Sequence, residues 1–275
     1  MVKPYAGTLP VRPVVIKLGG RALEAPGAPE EFARALSRLE HPAIVVHGGG
    51  AEVTAWCEKV GIESRFENGL RVTDPATLEV AVAVLAGLAN KRLVAALNNA
   101  DMRAVGLSGV DDRLLVAPRH PQADVLGEVG HDPQVNRRLL HLLLSEGYTP
   151  VIATIATTYA GHLLNVNADD AAAAIAQAVH ASDLALLSDT PGLKLDDQVV
   201  SEIVADDFEA TLANPQVAGG MRPKIAAAAA AVRAGVSRVH IAAWRGPDTL
   251  HTLFHDRTHG TLLHEGAART EATHG

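Results

Sequence analysis

Six lysines stand among eighteen arginines in this 275-residue chain, so a lysine inside a conspicuous pattern invites a chemical reading. Lys17 closes PVVIKL, a buried-looking β pattern, and Gly19-Gly20 follow it. An ammonium at the carboxyl end of a strand, beside glycines whose N–H groups can approach an anion, suits a phosphate. The same residues also suit a strand that ends in a solvated lysine and a turn. Lys224, in AGGMRPKIAAAA, falls in the first turn of an alanine-rich helix, where the helix dipole disfavours a cation. It therefore needs an anionic partner, and it is the strongest single-residue anomaly in the chain.

Four further patterns carry polar groups at element ends. IVVHGGGAEV (44–53) is strand, glycines, helix, and exposes several N–H donors at a helix N-terminus without forming a G-x-G-x-x-G or a Walker motif. His47, taken alone, reads as a packed or capping histidine. ENGLRVTD (67–74) offers an Asn-Gly turn, a cap at Thr73 or Asp74, and Arg71 placed for a two-pronged contact with a carboxylate. In LLNVNADD (163–170), Asn167 is a helix cap and Asp169 and Asp170 complement the dipole, which leaves Asn165 and one Asp unexplained. LLSDTPGLKL (186–195) is a buried strand ending in Ser-Asp and a Pro-Gly turn, a form that suits a nucleotide outside a strand's carboxyl end.

Those groups must be held by alternating elements. Core strands are expected at 13–18, 43–47, 149–154, 182–188 and 238–243, and helices near 28–40, 50–60, 74–99, 132–147, 167–180, 219–235 and 247–255. This βαβ alternation predicts an α/β fold around a mainly parallel sheet. Segments 157–166 and 193–203 read as antiparallel additions, Asp111-Asp112 as a hairpin turn, and 259–264 as a strand. Two lobes are expected, 1–180 and 181–275.

With 48% hydrophobic and 20% charged residues the composition is that of a globular protein, and a net charge of −7 with 3% aromatics argues against nucleic acid and anionic membrane as partners. No apolar run of about 20 residues suggests a membrane span, and Met1 to Val11 has no signal core, so the expected address is the cytoplasm. Cys57 is the single cysteine, which excludes an intrachain disulfide; its helical pattern predicts a packed thiol. His251, His255, His259 and His264 approach i, i+4 spacing, but without accompanying carboxylates no metal site is assigned.

In family order, KLGG, VVHGGG, NGLRVTD, LAGLANK (85–91), GLSG (106–109), NVNAD, LLSDTPGL and GGMRPK resemble the amino acid kinase family, from about Val14 to Leu263. The closest likeness is to the branch acting on N-acetyl-L-glutamate in arginine biosynthesis. The resemblance implies an open αβα sandwich, with acyl-amino-acid binding and dimerisation in the N-terminal lobe and ATP in the C-terminal lobe. It implies Lys17 and Lys224 as phosphoryl-stabilising lysines, with Asp169 holding them. Gly49, Gly50, Arg71 and Asn165 would bind the acetylated substrate. Gly19, Gly20, Ser188, Asp189, Thr190, Pro191, Gly192, Leu193, Lys194, Val217, Ala218 and Gly219 would meet ATP, with Mg²⁺ carried on its phosphates. A γ-carboxylate of pKa about 4.3 is ionised at neutral pH and needs no general base, so Asp169 is expected to organise rather than to accept a proton.

Arg21, Arg222 and THGTLL (258–263) depart from the family pattern. About a dozen residues precede the first strand, without the N-terminal helix of arginine-inhibited hexameric members, so the resemblance implies a homodimer indifferent to arginine. The rival within the fold phosphorylates α-aminoadipate or glutamate on an acidic carrier protein; a non-catalytic sensor should have lost one of the lysines or Asp169.

Overall fold

A computed structural model describes residues 11–19, 25–256 and 259–266. Eight strands form the main sheet: β1 (Val14–Leu18), β2 (Ala43–His47), β3 (Ala104–Ser108), β4 (Thr149–Ala153), β5 (Asp183–Ser188), β6 (Glu202–Val204), β7 (Arg238–Ala243) and β8 (Thr261–His264). Their spatial order is β6-β8-β7-β5-β1-β2-β4-β3. The six from β7 to β3 run parallel, while β8 is antiparallel to β7 and β6 follows β8. From β1 the chain moves outward through β2, and the later strands fill the other side. The strand order thus reverses at β1, the place where open α/β sheets bind ligands beyond their carboxyl ends.

Helices α1 (Ala28–Leu36), α2 (Gly50–Lys59), α3 (Pro75–Asn99), α4 (Arg137–Ser145), α5 (Ala168–Ala178), α6 (Phe208–Ala213), α7 (Met221–Arg233) and α8 (249–256) cover the sheet. Alternation along β1 sorts its side chains to two layers. Val14, Ile16 and Leu18 pack with Phe32 of α1, Leu93 and Leu97 of α3, and Leu250 and Leu253 of α8. Val15 packs on the other face, with Leu140 of α4, Ile175 of α5 and Ile225 of α7. Burial on both faces is why the strands read as continuous apolar runs. The result is an open αβα sandwich with a mainly parallel sheet.

By that alternation Lys17 shares the face of Val15 and points at α5 and α7. Those helices pack against each other and are rich in buried alanines, Ala172 and Ala176 among them on α5 and Ala228 and Ala231 on α7. Such small contact residues let their first turns come close together.

A smaller five-stranded sheet, in the order Val129–Gly130, Leu163–Val166, Ile155–Thr157, Leu115–Val116 and Gln134–Val135, accompanies the main one. Its assembly corrects three expectations. The helix expected from 132 starts only at Arg137, because Gln134–Val135 pairs with Leu115–Val116. Asp111–Arg113 is a tight turn, with Asp112 and Arg113 at φ of 49° and 51°, that joins the two sheets rather than a hairpin. Only 194–199 of the segment 193–203 forms an antiparallel pair, and Glu202–Val204 leaves to become β6. Helix α3, with a mean hydropathy of 1.7 in its most apolar window, is long and apolar enough to cross a membrane. That departs from the sequence expectation, but here its apolar side chains serve two core clusters, Leu93 and Leu97 in one and Val84 and Leu85 in another.

Candidate active site

The carboxylate of Asp169, in the first turn of α5, lies between two buried ammonium groups. Lys224 Nζ donates to Oδ2 at 2.7 Å. Lys17 Nζ stands 2.9 Å from Oδ1 as an ion pair. Asn167 accepts from Asp169 N at 2.8 Å and caps the helix, which fixes where the carboxylate begins. Burial alone would raise the Asp169 carboxyl, but the charges of Lys17 and Lys224 outweigh it and hold the group below the usual carboxylate range. For Lys224, burial lowers the pKa, Asp169 pushes it up and Lys17 pushes it down, with a net fall. Two cations and one anion leave a positive excess at the end of β1.

Lys17, Gly19, Gly49, Gly50, Arg71 and Asp169 line a cavity of about 250 Å³. The Asn68-Gly69 turn, with φ of 50° and 82°, closes a hairpin of Phe66–Glu67 and Leu70–Arg71, as a two-residue Asn-Gly loop favours. Asp74 then caps α3 by accepting from Thr77 N at 2.7 Å. Arg71 is 8% exposed and donates to Gly50 O, Thr54 Oγ1 and Ser64 Oγ. Burial pulls its pKa down, and no carboxylate among the described residues pairs with it. A buried guanidinium held by neutral oxygens and by the Phe66 ring, whose centroid is 4.7 Å from Cζ, and lining a cavity, suits a ligand carboxylate. Asn165 lines the same cavity and donates to Thr73 Oγ1 at 3.2 Å.

Close packing explains two of the glycines. A Cβ on Gly19 would stand 2.8 Å from Lys17 Nζ, and one on Gly49, whose φ is 154°, would meet Leu85 Cδ2 at 2.9 Å. Leu85 belongs to Ala83–Ala89, a π-helical stretch within α3; such stretches recur at functional sites.

The residues expected around a nucleotide divide into two kinds. Asp189, Thr190, Lys194, Ala218 and Gly219 are exposed, Ser188 and Pro191 are half-buried, and Gly192, Leu193 and Val217 are buried. Ser188 Oγ and Thr190 Oγ1 are 2.9 Å apart, which shapes the turn after β5. Leu193 and Val217 are core side chains, so only their backbone can face a ligand. Gln216 and Asp196 exchange two hydrogen bonds of 2.9 Å, tying the strand pair that begins at Lys194 to the segment leading into α7. Gly20 and Arg21 lie outside the described residues. Arg222 is exposed in the first turn of α7. Sequence reasoning did not find the cavity-lining Phe66, Leu70, Leu85, Val129 and Thr154; they are ordinary core or hairpin residues by pattern, and only the fold collects them.

A doubly wound sheet with an ammonium pair at its switch point, glycine turns beside it and an unpaired guanidinium in the same cavity is built to hold a phosphoryl group next to a carboxylate. The chain belongs to the amino acid kinase family, whose model matches residues 12–243. Among its relatives are acetylglutamate kinases. That of Brachyspira hyodysenteriae is 38% identical over 270 residues, covering 95% of this chain and 94% of the relative. That of Methanopyrus kandleri is 46% identical over 230 residues, covering 80% and 91%. Among solved structures, smu.665 from Streptococcus mutans UA159 superposes with a TM-score of 0.78 at 26% identity, covering 92% of this chain and 99% of that one.

Proposed function

We propose that this protein is an acetylglutamate kinase, which transfers the γ-phosphoryl group of ATP to the γ-carboxylate of N-acetyl-L-glutamate in arginine biosynthesis, giving N-acetyl-L-glutamyl 5-phosphate. The observation that carries the reading is a single cavity lined by Lys17, Asp169 and the buried, carboxylate-free Arg71, with Lys224 paired to Asp169 behind that wall. A substrate with two carboxylates answers both Lys17 and Arg71.

In the transfer, a γ-carboxylate oxygen attacks the terminal phosphorus while the bond from that phosphorus to the β–γ bridging oxygen breaks, and ADP leaves. No proton moves, so the protein's task is placement and positive charge. Lys17, which lines the cavity, is assigned to the migrating phosphoryl, and Lys224 answers charge on the ADP side. Asp169 sits between the two ammonium groups and holds them in place. Gly49 and Gly50 supply N–H donors to the γ-carboxylate end, Arg71 holds the α-carboxylate, and Asn165 orients the body of the substrate.

ATP is assigned to the Gly19–Gly20 turn, to Ser188, Asp189, Thr190, Pro191, Gly192, Leu193 and Lys194, and to Val217, Ala218 and Gly219. Mg²⁺ neutralises the nucleotide phosphates when bound. Both Asp169 oxygens face ammonium groups, so the donor set fits an ion carried on the phosphates rather than one held by a protein carboxylate. Residues 1–180 are assigned acyl-amino-acid binding and dimerisation, 181–275 nucleotide binding, and the working unit is a homodimer in the cytoplasm.

The named relatives favour the free acetylated acid over a carrier-bound one. An ADP-release assay offering N-acetyl-L-glutamate, carrier-linked aminoadipate, aspartate and carbamate in parallel tests the assignment. Turnover confined to N-acetyl-L-glutamate supports it; turnover of another acid without it overturns it.

A further inference from the structure

Two motifs of the sequence, LAGLANK and GLSG, have no part in the chemistry above, yet both converge on His47. This histidine ends β2, is fully buried, and precedes the glycine turn. Burial, opposed more weakly by its hydrogen bond to Gly48 and the charge of Glu52, lowers its pKa to about 4. The ring is therefore neutral at physiological pH and carries one N–H.

The surroundings decide which nitrogen holds that proton. Asn90 Nδ2 donates to Val151 O at 3.0 Å, and Asn90 Oδ1 accepts from Lys91 Nζ at 3.2 Å, so the amide orientation is fixed at both ends. The same Nδ2 lies 3.1 Å from His47 Nε2, which must accept. The proton sits on Nδ1 and is donated to Gly48 O at 3.0 Å. Gly106 makes room for this arrangement, since a Cβ there would fall 2.0 Å from Asn90 Oδ1.

The held carbonyl has a consequence at the next atom. In a trans peptide the C=O of Gly48 and the N–H of Gly49 point in opposite directions. Gly48 N is itself tied to Leu18 O at 3.0 Å, so the residue that carries this carbonyl is anchored at both its N–H and its C=O. Gly49 N–H has no backbone acceptor among the described residues, and Gly49 lines the cavity with Lys17. We propose that His47 and Asn90 are positioning residues that hold the Gly48–Gly49 peptide so that the Gly49 N–H aims at the reacting carboxylate–phosphoryl group. This rests on the kinase reading of the cavity. It assigns LAGLANK and GLSG the task of building the support behind the glycine turn.

The test compares His47→Leu, His47→Gln and His47→Asn, because an asparagine amide nitrogen reaches the place of Nδ1 whereas a glutamine nitrogen reaches that of Nε2. All are assayed with whichever acid the wild-type protein turns over, so a wrong acceptor shows in the wild type and leaves the comparison intact. Misaiming one N–H donor should lower kcat in the Leu and Gln variants about 10- to 100-fold with both KM values within about threefold. The Asn variant should recover to within about fivefold of wild type, although it too has lost Asn90. Equal loss in all three, loss that tracks their melting temperatures, or a folded Leu variant with wild-type kcat overturns the proposal. Should the variants not fold, ¹⁵N NMR of the wild-type ring decides: a neutral ring protonated on Nδ1 from pH 5 to 8 supports it, and an Nε2–H or charged ring refutes it.

Discussion

Lys224 in the first turn of α7 and Asp169 in the first turn of α5 are joined at 2.7 Å, each at the helix end whose dipole favours the carboxylate and opposes the ammonium. The pairing resolves the anomaly of a lysine at a helix start. It also places a cation where no helix dipole would retain it, which is useful only if an anion arrives.

Replacing Asp169 with Asn should lower kcat by about 100-fold or more through loss of ordered charge. It should also destabilise the fold by about 3–5 kcal/mol, because two buried ammonium groups lose their partner. The pH profile separates this role from that of a base. Burial already depresses Lys224 and Asp169 is what pushes it back up. Without the carboxylate Lys224 loses its proton at lower pH, and the alkaline fall in activity moves down. Disappearance of an acid-side limb instead would show that Asp169 accepts a proton.

Gly19→Ala probes the space around Lys17. Its Cβ would stand 2.8 Å from the ammonium nitrogen, so the side chain must swing away. The expected result is a loss of kcat of about tenfold with a nearly unchanged melting temperature, read by steady-state kinetics and calorimetry.

Arg71→Met should raise the KM for N-acetyl-L-glutamate about 10- to 100-fold, the equivalent of the 1.5–3 kcal/mol typical of a charge-assisted hydrogen bond. The KM for ATP should hardly change. A parallel rise in both would place Arg71 outside the acid-binding end.

Asp170 gives a stability prediction with a definite sign. Burial first, then the charges of Asp169 and Asp132, push its carboxyl up to about 6. A carboxyl raised above its unfolded value is destabilising once ionised, so its contribution worsens as pH climbs from about 4 through about 6. Asp170→Asn should therefore stabilise the protein at pH 7.5 by about 1–3 kcal/mol and leave it little changed at pH 4. Melting curves at the two pH values check it.

The sequence shows some of this plainly and hides the rest for physical reasons. β2 and β7 were legible to the residue because strands covered on both faces are uninterrupted apolar runs. Lys224 announced its need for an anion by breaking a helix rule, and the Asn-Gly turn declared the hairpin that carries Arg71. Strand β3 was missed: Gly106 interrupts its pattern, and that glycine is there to admit the side chain of Asn90. The two-residue strands of the smaller sheet are too short to show a period. Ser64 and Thr54, which hold Arg71, meet it only through tertiary folding. Asp170 looked like a second dipole partner, and nothing in its local sequence shows the burial that raises its pKa.

Acyl-phosphate formation depends, in the proposed reaction, on the two lysines. The most direct measurement is ³¹P NMR of the reaction of ATP, Mg²⁺ and N-acetyl-L-glutamate, run with the wild-type protein and with Lys17→Met and Lys224→Met. One acyl phosphate per ADP is expected in the wild type, and a rate lower by about 100-fold or more in each variant. ADP appearing without acyl phosphate, or a folded lysine variant that makes it at the wild-type rate, would contradict it.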